Sequence, residues 1–223
     1  DWAGNAAARI EAGHPGAVAL VALGCGGDAN PEPRGLLEHV SRHGQTIATE
    51  VERLLAGPLH PLGPVTSASY RRIELELDHA VTREELQARM GKPQKQMVAY
   101  AASKFLLQLD AGHALPAAVP YPVQAWRFGN DLAMVFLGGE VLSDYSLRLR
   151  RELNSTRLWV NAYANSVPCY IASQRMFAEG GYEVGGSMDF YGWPTRLAIG
   201  TEDRIIAAVR EQLPPAFVRA AGK

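Results

Sequence analysis

Apolar and polar positions along the chain change period several times, and each change predicts an element. Residues around Gly4 to Ala12 suit a short helix. Residues 17–24, Ala-Val-Ala-Leu-Val-Ala-Leu-Gly, form a continuous apolar run closing on glycine, the pattern of a central strand buried on both faces. After a turn rich in Gly, Asn and Pro, Leu36, Leu37, Val40, Ile47, Val51, Leu54 and Leu55 fall on one face of a long helix stopped by Gly57 and Pro58. Residues 67–78 alternate, with Ile73, Leu75 and Leu77 against Arg72, Glu74 and Glu76, predicting a half-buried strand. Thr82 and Glu85 make a capping box flanked by the staple pair Val81 and Leu86. The next helix is predicted from Pro93 through Met97, Ala101, Phe105 and Leu109 to Gly112.

A proline-rich stretch then leads into a hairpin, residues 123–128 and 132–137, turning at Gly129-Asn-Asp131. Gly138-Gly139-Glu140 introduces a helix with Leu142, Tyr145, Leu149 and Leu153 inward, and residues 158–162 form another apolar strand. Residues 161–193, rich in Gly, Tyr and Asn, have no clear period. A last helix is predicted with Thr201 as its cap, Glu202 and Asp203 in its first turn, and Pro214 at its end. The order predicts an α/β fold with a mixed sheet flanked by helices, read as one unit over residues 1–223.

Composition narrows the function. A chain of 223 residues, 47% hydrophobic and 20% charged with net charge -1, offers no electrostatic case for nucleic acid. No apolar stretch approaches the roughly 18 residues of a membrane span. The opening Asp-Trp-Ala-Gly reads as mid-fold, so the expectation is a fragment whose beginning has been removed. Cys25 and Cys169 are too few for a disulfide scaffold and leave the redox compartment open.

Candidate chemistry gathers where predicted strands empty into irregular turns, since open α/β sheets hold ligands at strand carboxyl ends. Those turns are residues 24–31, 138–140 and 161–170. Glu140 is either a carboxylate complementing a helix start or a metal ligand, its two glycines allowing close backbone approach. The Asp28-Ala-Asn30-Pro turn bonds its own backbone or faces a substrate. Tyr163, Tyr170, Tyr182 and Tyr191 crowd one region, as packing residues or as site groups. His39 and His43 stand four apart on the long helix, but no third ligand accompanies them, and a solvated helix face is the better reading. His14, His60, His79 and His113 stand singly in predicted loops. The chain has no Gly-x-Ser-x-Gly elbow and no phosphate loop.

At these same turns the chain resembles the neutral/alkaline ceramidase family, in its bacterial ceramidase-like branch. The resemblance rests on "ALVALGCGGDANPEPR" (residues 19–34), "MVFLGGEVLSDYSLRLRREL" (134–153) and "LWVNAYANSVPCYIASQRMFAEGGYEVGGSM" (158–188), in the family's order. It implies the C-terminal portion of a zinc-dependent amide hydrolase domain, acting on an N-acyl amide such as an N-acylsphingosine. Glu140 is then a zinc ligand. Tyr170 is the tyrosine ligand and Tyr182 steadies the amide carbonyl, though the two are exchangeable. Asp28 and Asn30 orient the substrate or the metal's surroundings. The family's two zinc-binding histidines are expected upstream of Asp1; none of the six here matches them. Where the ceramidases carry Ser in the Gly-Asp-x-Ser-Pro turn, this chain has Asn30, an amide that donates a hydrogen bond but is no nucleophile, which puts ceramide itself in doubt. The implied partner is a small-molecule or lipid amide, with room for peripheral membrane contact and a secreted or periplasmic setting. Two rivals keep the fold: a non-catalytic binding or structural descendant, and a hydrolase of a sugar or peptide amide.

Overall fold

A computed structural model describes residues 1–91 and 96–218. They group into two compact units, residues 1–23 with 29–63, and residues 24–28 with 64 onward.

In the smaller unit, α1 (Trp2–Gly13) starts where the Asp1 carboxylate accepts the Ala3 N–H at 2.9 Å. It lies beside α2 (Leu37–Leu55), running in the same direction. The two meet through small and polar residues. Ala6, Gly44 and Ala48 are buried, Arg9 bonds Gln45 at 2.6 Å and His14 bonds Glu52 at 2.8 Å. The predicted apolar stripe of α2 does not become a core. Leu37, Ile47, Leu54 and Leu55 are all exposed.

The predicted central strand at 17–24 is also corrected. The segment lies outside any strand, with Leu20 90% exposed. Its composition suits a strand, but a strand exists only where partners bond its backbone, and this segment joins neither sheet.

The larger unit is α/β around a mixed four-stranded sheet, ordered β1 (Ser67–Glu76), β2 (Ala118–Phe128), β3 (Leu132–Leu137), β5 (Leu158–Asn161). β1–β2 and β2–β3 are antiparallel and β3–β5 is parallel. Pro120 and Pro122 lie inside β2, although the proline-rich stretch reads as a lead-in. Both stand opposite β1, at Glu74 and Arg72, but Pro122 O accepts the Gly138 N–H at 3.4 Å, which turns the nitrogens of both prolines to the β3 side, where pairing with β2 begins only at Val123. One sheet face is sealed. Leu75, Val119, Tyr121, Val123, Val135 and Leu137 are fully buried, against Tyr145 and Leu149 of α5 (Ser143–Glu152), Leu153 at its C-terminal cap and Ile205 of α8 (Thr201–Glu211).

α8 departs from its predicted cap. Gly200, at φ 95°, holds the cap position, and Thr201 is the first helical residue, its hydroxyl donating to Ala198 O at 2.8 Å. Glu202 is buried and satisfied, accepting from Arg148 at 2.8 Å and from the Gln174 N–H at 2.6 Å. α3 (Arg83–Met90) has both capping-box bonds between Thr82 and Glu85. It packs through Leu86 on Ala102 and Phe105 of α4 (Gln96–Asp110) as a satellite core. The predicted start of α4 near Pro93 lies outside the described residues.

Candidate active site

At the carboxyl ends of β3 and β5 the ladder continues in irregular form. Tyr163 N–H donates to Gly139 O at 3.1 Å and Ala164 N–H to Leu137 O at 3.0 Å. The chain then turns through Tyr163 and Asn165, both at positive φ (55° and 64°), a backbone region that non-glycine residues seldom occupy. That turn returns it to β6 (Tyr170–Ile171), which pairs in parallel with β4 (Glu140–Val141). The register sets Glu140 directly opposite Tyr170.

Two features make this close approach necessary. Gly139 has φ 79°, and a Cβ there would lie 2.7 Å from Cys169 O. On the other side Gly27 N–H donates to Val141 O at 2.9 Å, and a Cβ on Gly27 would lie 2.6 Å from Glu140 O. The glycines serve backbone contact between strands.

Glu140 is the centre of a tyrosine cluster. The Tyr191 hydroxyl donates to Oε1 and the Tyr163 hydroxyl reaches Oε2 at 3.5 Å, while Tyr170, opposite Glu140 in the β4–β6 register, sets its ring 6.3 Å from that of Tyr191. Tyr191 comes from α7 (Met188–Tyr191), which follows the one-turn α6 (Met176–Glu179). Burial, then the Glu140 carboxylate, pushes the Tyr170 phenol up to about 12 and raises Tyr163 and Tyr191 as well. All three therefore keep their protons at neutral pH. Hydrogen bonds from phenols to a carboxylate are charge-assisted and stronger than neutral ones.

Tyr182 opens a π-type turn, Tyr182–Gly186, in which Ser187 N–H donates to Tyr182 O at 2.9 Å. Such turns recur at functional sites. Its half-exposed ring packs edge-on against Tyr170, centroids 5.6 Å apart, and lies 6.2 Å from Phe190.

Of the sequence-predicted site residues, Glu140, Tyr170 and Tyr182 come together. Asp28 lies in the same unit but has a defined structural task. Its carboxylate accepts the Ser143 N–H at 2.8 Å and the Ser143 hydroxyl at 2.9 Å, so it caps α5. Glu140, three residues earlier, is therefore not the carboxylate that starts this helix. Asn30 is exposed and belongs to the smaller unit. The roles of Tyr163 and Tyr191 as donors to Glu140 went unread in the sequence. Their crowding with the other tyrosines was the signal, but spacing alone does not show which hydroxyls converge.

The cysteines are free thiols. Burial raises both Cys25 and Cys169 to about 12, so they stay protonated and inert. The buried Tyr121 hydroxyl has no hydrogen-bond partner among the described residues. His43 Nε2 bonds Pro33 O at 2.7 Å and His39 lies 3.6 Å from Glu38, so neither is set up as a ligand. Among the described residues no three His, Cys, Asp or Glu side chains are grouped to hold a metal ion. None of the described helices is long and apolar enough to cross a membrane. No protein-family model matches the chain, and no curated protein matches it.

Proposed function

We propose that the Glu140 cluster is the reaction centre of a zinc-dependent amide hydrolase resembling neutral ceramidase, acting on an N-acyl amide. The observation that carries this reading is the convergence of Tyr163 and Tyr191 on one carboxylate at the carboxyl ends of two parallel strands, with Tyr170 opposite it in register and Tyr182 against Tyr170.

The residues present suit part of a zinc site. Glu140 is an anionic oxygen ligand of the kind zinc takes, and the Tyr170 phenol beside it is a weaker neutral one. They do not complete a set of three strong ligands, and the resemblance assigns the other two to upstream histidines. Zinc supplies, when bound, polarisation of the amide carbonyl and a water acidified to a pKa of about 7.

The chain's own groups have separate tasks. Tyr163 and Tyr191 hold the Glu140 carboxylate in one rotamer and delocalise its charge. Tyr182 stands as a phenol donor where charge develops on the carbonyl oxygen, and losing one such donor costs about 3 kcal/mol of transition-state stabilisation. Asp28 acts at a distance, by anchoring the start of α5 next to β4.

The second reading, a binding protein of this fold without catalysis, is favoured by one observation. Both Glu140 oxygens already receive phenol protons, so the cluster is satisfied as it stands. Elemental analysis separates the two. The chain extended upstream by its native sequence is expected to bind about one zinc, and Glu140→Ala to lose both zinc and amide hydrolysis. Unchanged zinc and unchanged hydrolysis in Glu140→Ala would sink the hydrolase reading.

A further inference from the structure

The sheet of the larger unit has a second face, and it is open. Side chains alternate along a strand. Val123, Ala125, Val135 and Val160 point into the sealed core, so the residues between them point the other way. The register sets Trp126 opposite Met134 and Met134 opposite Trp159, a row across three strands. Phe136 packs on Trp126 with ring centroids 4.8 Å apart, and Tyr70 of β1 lies on the same face, opposite Gln124. Trp126, Trp159 and Tyr70 are 36%, 47% and 50% exposed. Large apolar side chains grouped on a solvent face and rimmed by polar ones mark a binding surface. Here the rim is made of amides. Asn165 donates to Gln124 Oε1 at 3.0 Å, which holds both side chains and leaves the Gln124 amide N–H groups and the Asn165 carbonyl oxygen facing outward bonds. The Trp193 indole donates to Pro168 O at 2.7 Å, whereas those of Trp126 and Trp159 have no partner among the described residues.

Area, charge and spacing choose the occupant. The three rings, each half exposed or less, offer roughly 300 Å², well short of the ~800 Å² per partner of a stable protein interface. On β1 the same face carries Arg72 and then Glu74 and Glu76, so no basic excess awaits a phosphate backbone. Trp126 and Trp159 stand two strands apart, roughly 10 Å, a spacing that suits alternate rings of a linear sugar chain. We propose that this face binds an uncharged linear oligosaccharide, with pyranose rings lying on Trp126 and Trp159. A pyranose has apolar C–H faces and hydroxyl edges. Its C–H groups meet the electron-rich ring faces and displace water from aromatic surface. Its hydroxyls reach the Gln124 and Asn165 amides and the indole N–H groups. A purely apolar ligand would desolvate those amides without replacing their bonds to water. The proposal is independent of the hydrolase reading, since none of these side chains belongs to the Glu140 cluster.

The test titrates the whole chain, by tryptophan fluorescence and calorimetry, with cellohexaose, xylohexaose, mannohexaose, maltohexaose and N-acetylchitohexaose. At least one is expected to bind saturably, and about tenfold more tightly than its own disaccharide, which covers a single indole. Trp126→Ala and Trp159→Ala are each expected to weaken that binding about tenfold. Trp159→Phe, which keeps a ring in place, should weaken it less than about threefold. Leu147→Ala, at an exposed site on α5, should leave it unchanged. Failure of every hexaose to bind the unaltered chain at millimolar concentration, or equal binding by the parent and both alanine variants, would overturn the proposal. A dimer seen by analytical ultracentrifugation and dissociated by Trp159→Ala would overturn it too, by assigning the face to a second copy. Tighter binding of a single-stranded RNA than of any hexaose would do the same in favour of base stacking.

Discussion

The β3–β4–β6 junction and the α1–α2 pair use glycine and leucine in opposite ways. In the junction, inward side chains such as Leu137, Val141, Leu142 and Ile171 are fully buried, and Gly139 is required because another strand's backbone passes where a Cβ would be. In the α1–α2 pair the small residues Ala6, Gly44 and Ala48 are the contact, and the leucines of α2 stay exposed. The first region is over-determined by packing, and the second is held by a narrow seam of small side chains and surface hydrogen bonds. Rigid geometry for a carboxylate and three phenols is found where the first kind of packing is.

The widest expected gap between the regions comes from large-to-small substitution. Leu149→Ala, at a fully buried site on α5, should cost about 3 kcal/mol. Ile47→Ala on α2, 41% exposed, should cost less than about 1 kcal/mol. Urea denaturation checks both, and equal costs would erase the contrast. Glycine substitution gives a smaller gap. Gly139→Ala forces a strained φ and a backbone overlap and should destabilise by about 2 kcal/mol. Gly44→Ala sets a Cβ 2.3 Å from Asn5 Oδ1 and 2.8 Å from Asn5 Cβ, so the seam must part, and against a helix-propensity gain of about 1 kcal/mol the net cost should be about 1 kcal/mol.

The smallest effect is one of pH. The Cys25 and Cys169 thiols and the Tyr170 phenol have folded pKa values of about 12, above ordinary values of 9.0 and 10.0. From about pH 9 to 12 the folded state therefore holds more protons than the unfolded state. Stability is fully present below pH 9 and falls as pH rises towards 12. Thermal melts across that range check the sign. In Tyr170→Phe the decline should become slightly shallower, whereas Ile47→Ala should leave the slope unchanged.

Much of the larger unit was legible in the sequence because its signals are local. The alternation of β1, the Thr82–Glu85 box, the hairpin at Gly129 and the inward stripe of α5 each appear where their pattern places them. The convergence of Glu140, Tyr170 and Tyr182 was legible only as a resemblance. Nothing in the spacing of the tyrosines shows that Tyr163 and Tyr191 also reach Glu140. The cap of α8 moved by one residue because Gly200 reaches a left-handed conformation more readily than Thr201 would.

By itself the sequence determined which segments are able to be helices or strands, through period, caps and turn residues, and which residues have the chemistry for a site. Tertiary structure alone decided which apolar patterns found a partner. The runs at 17–24 and along α2 are as hydrophobic as those of β3 and α5, yet only the latter are sealed. The reason is physical: periodicity records a chain's capacity to bury a face, whereas burial itself requires a second surface of matching shape, and a β-strand requires a neighbouring backbone to accept its hydrogen bonds.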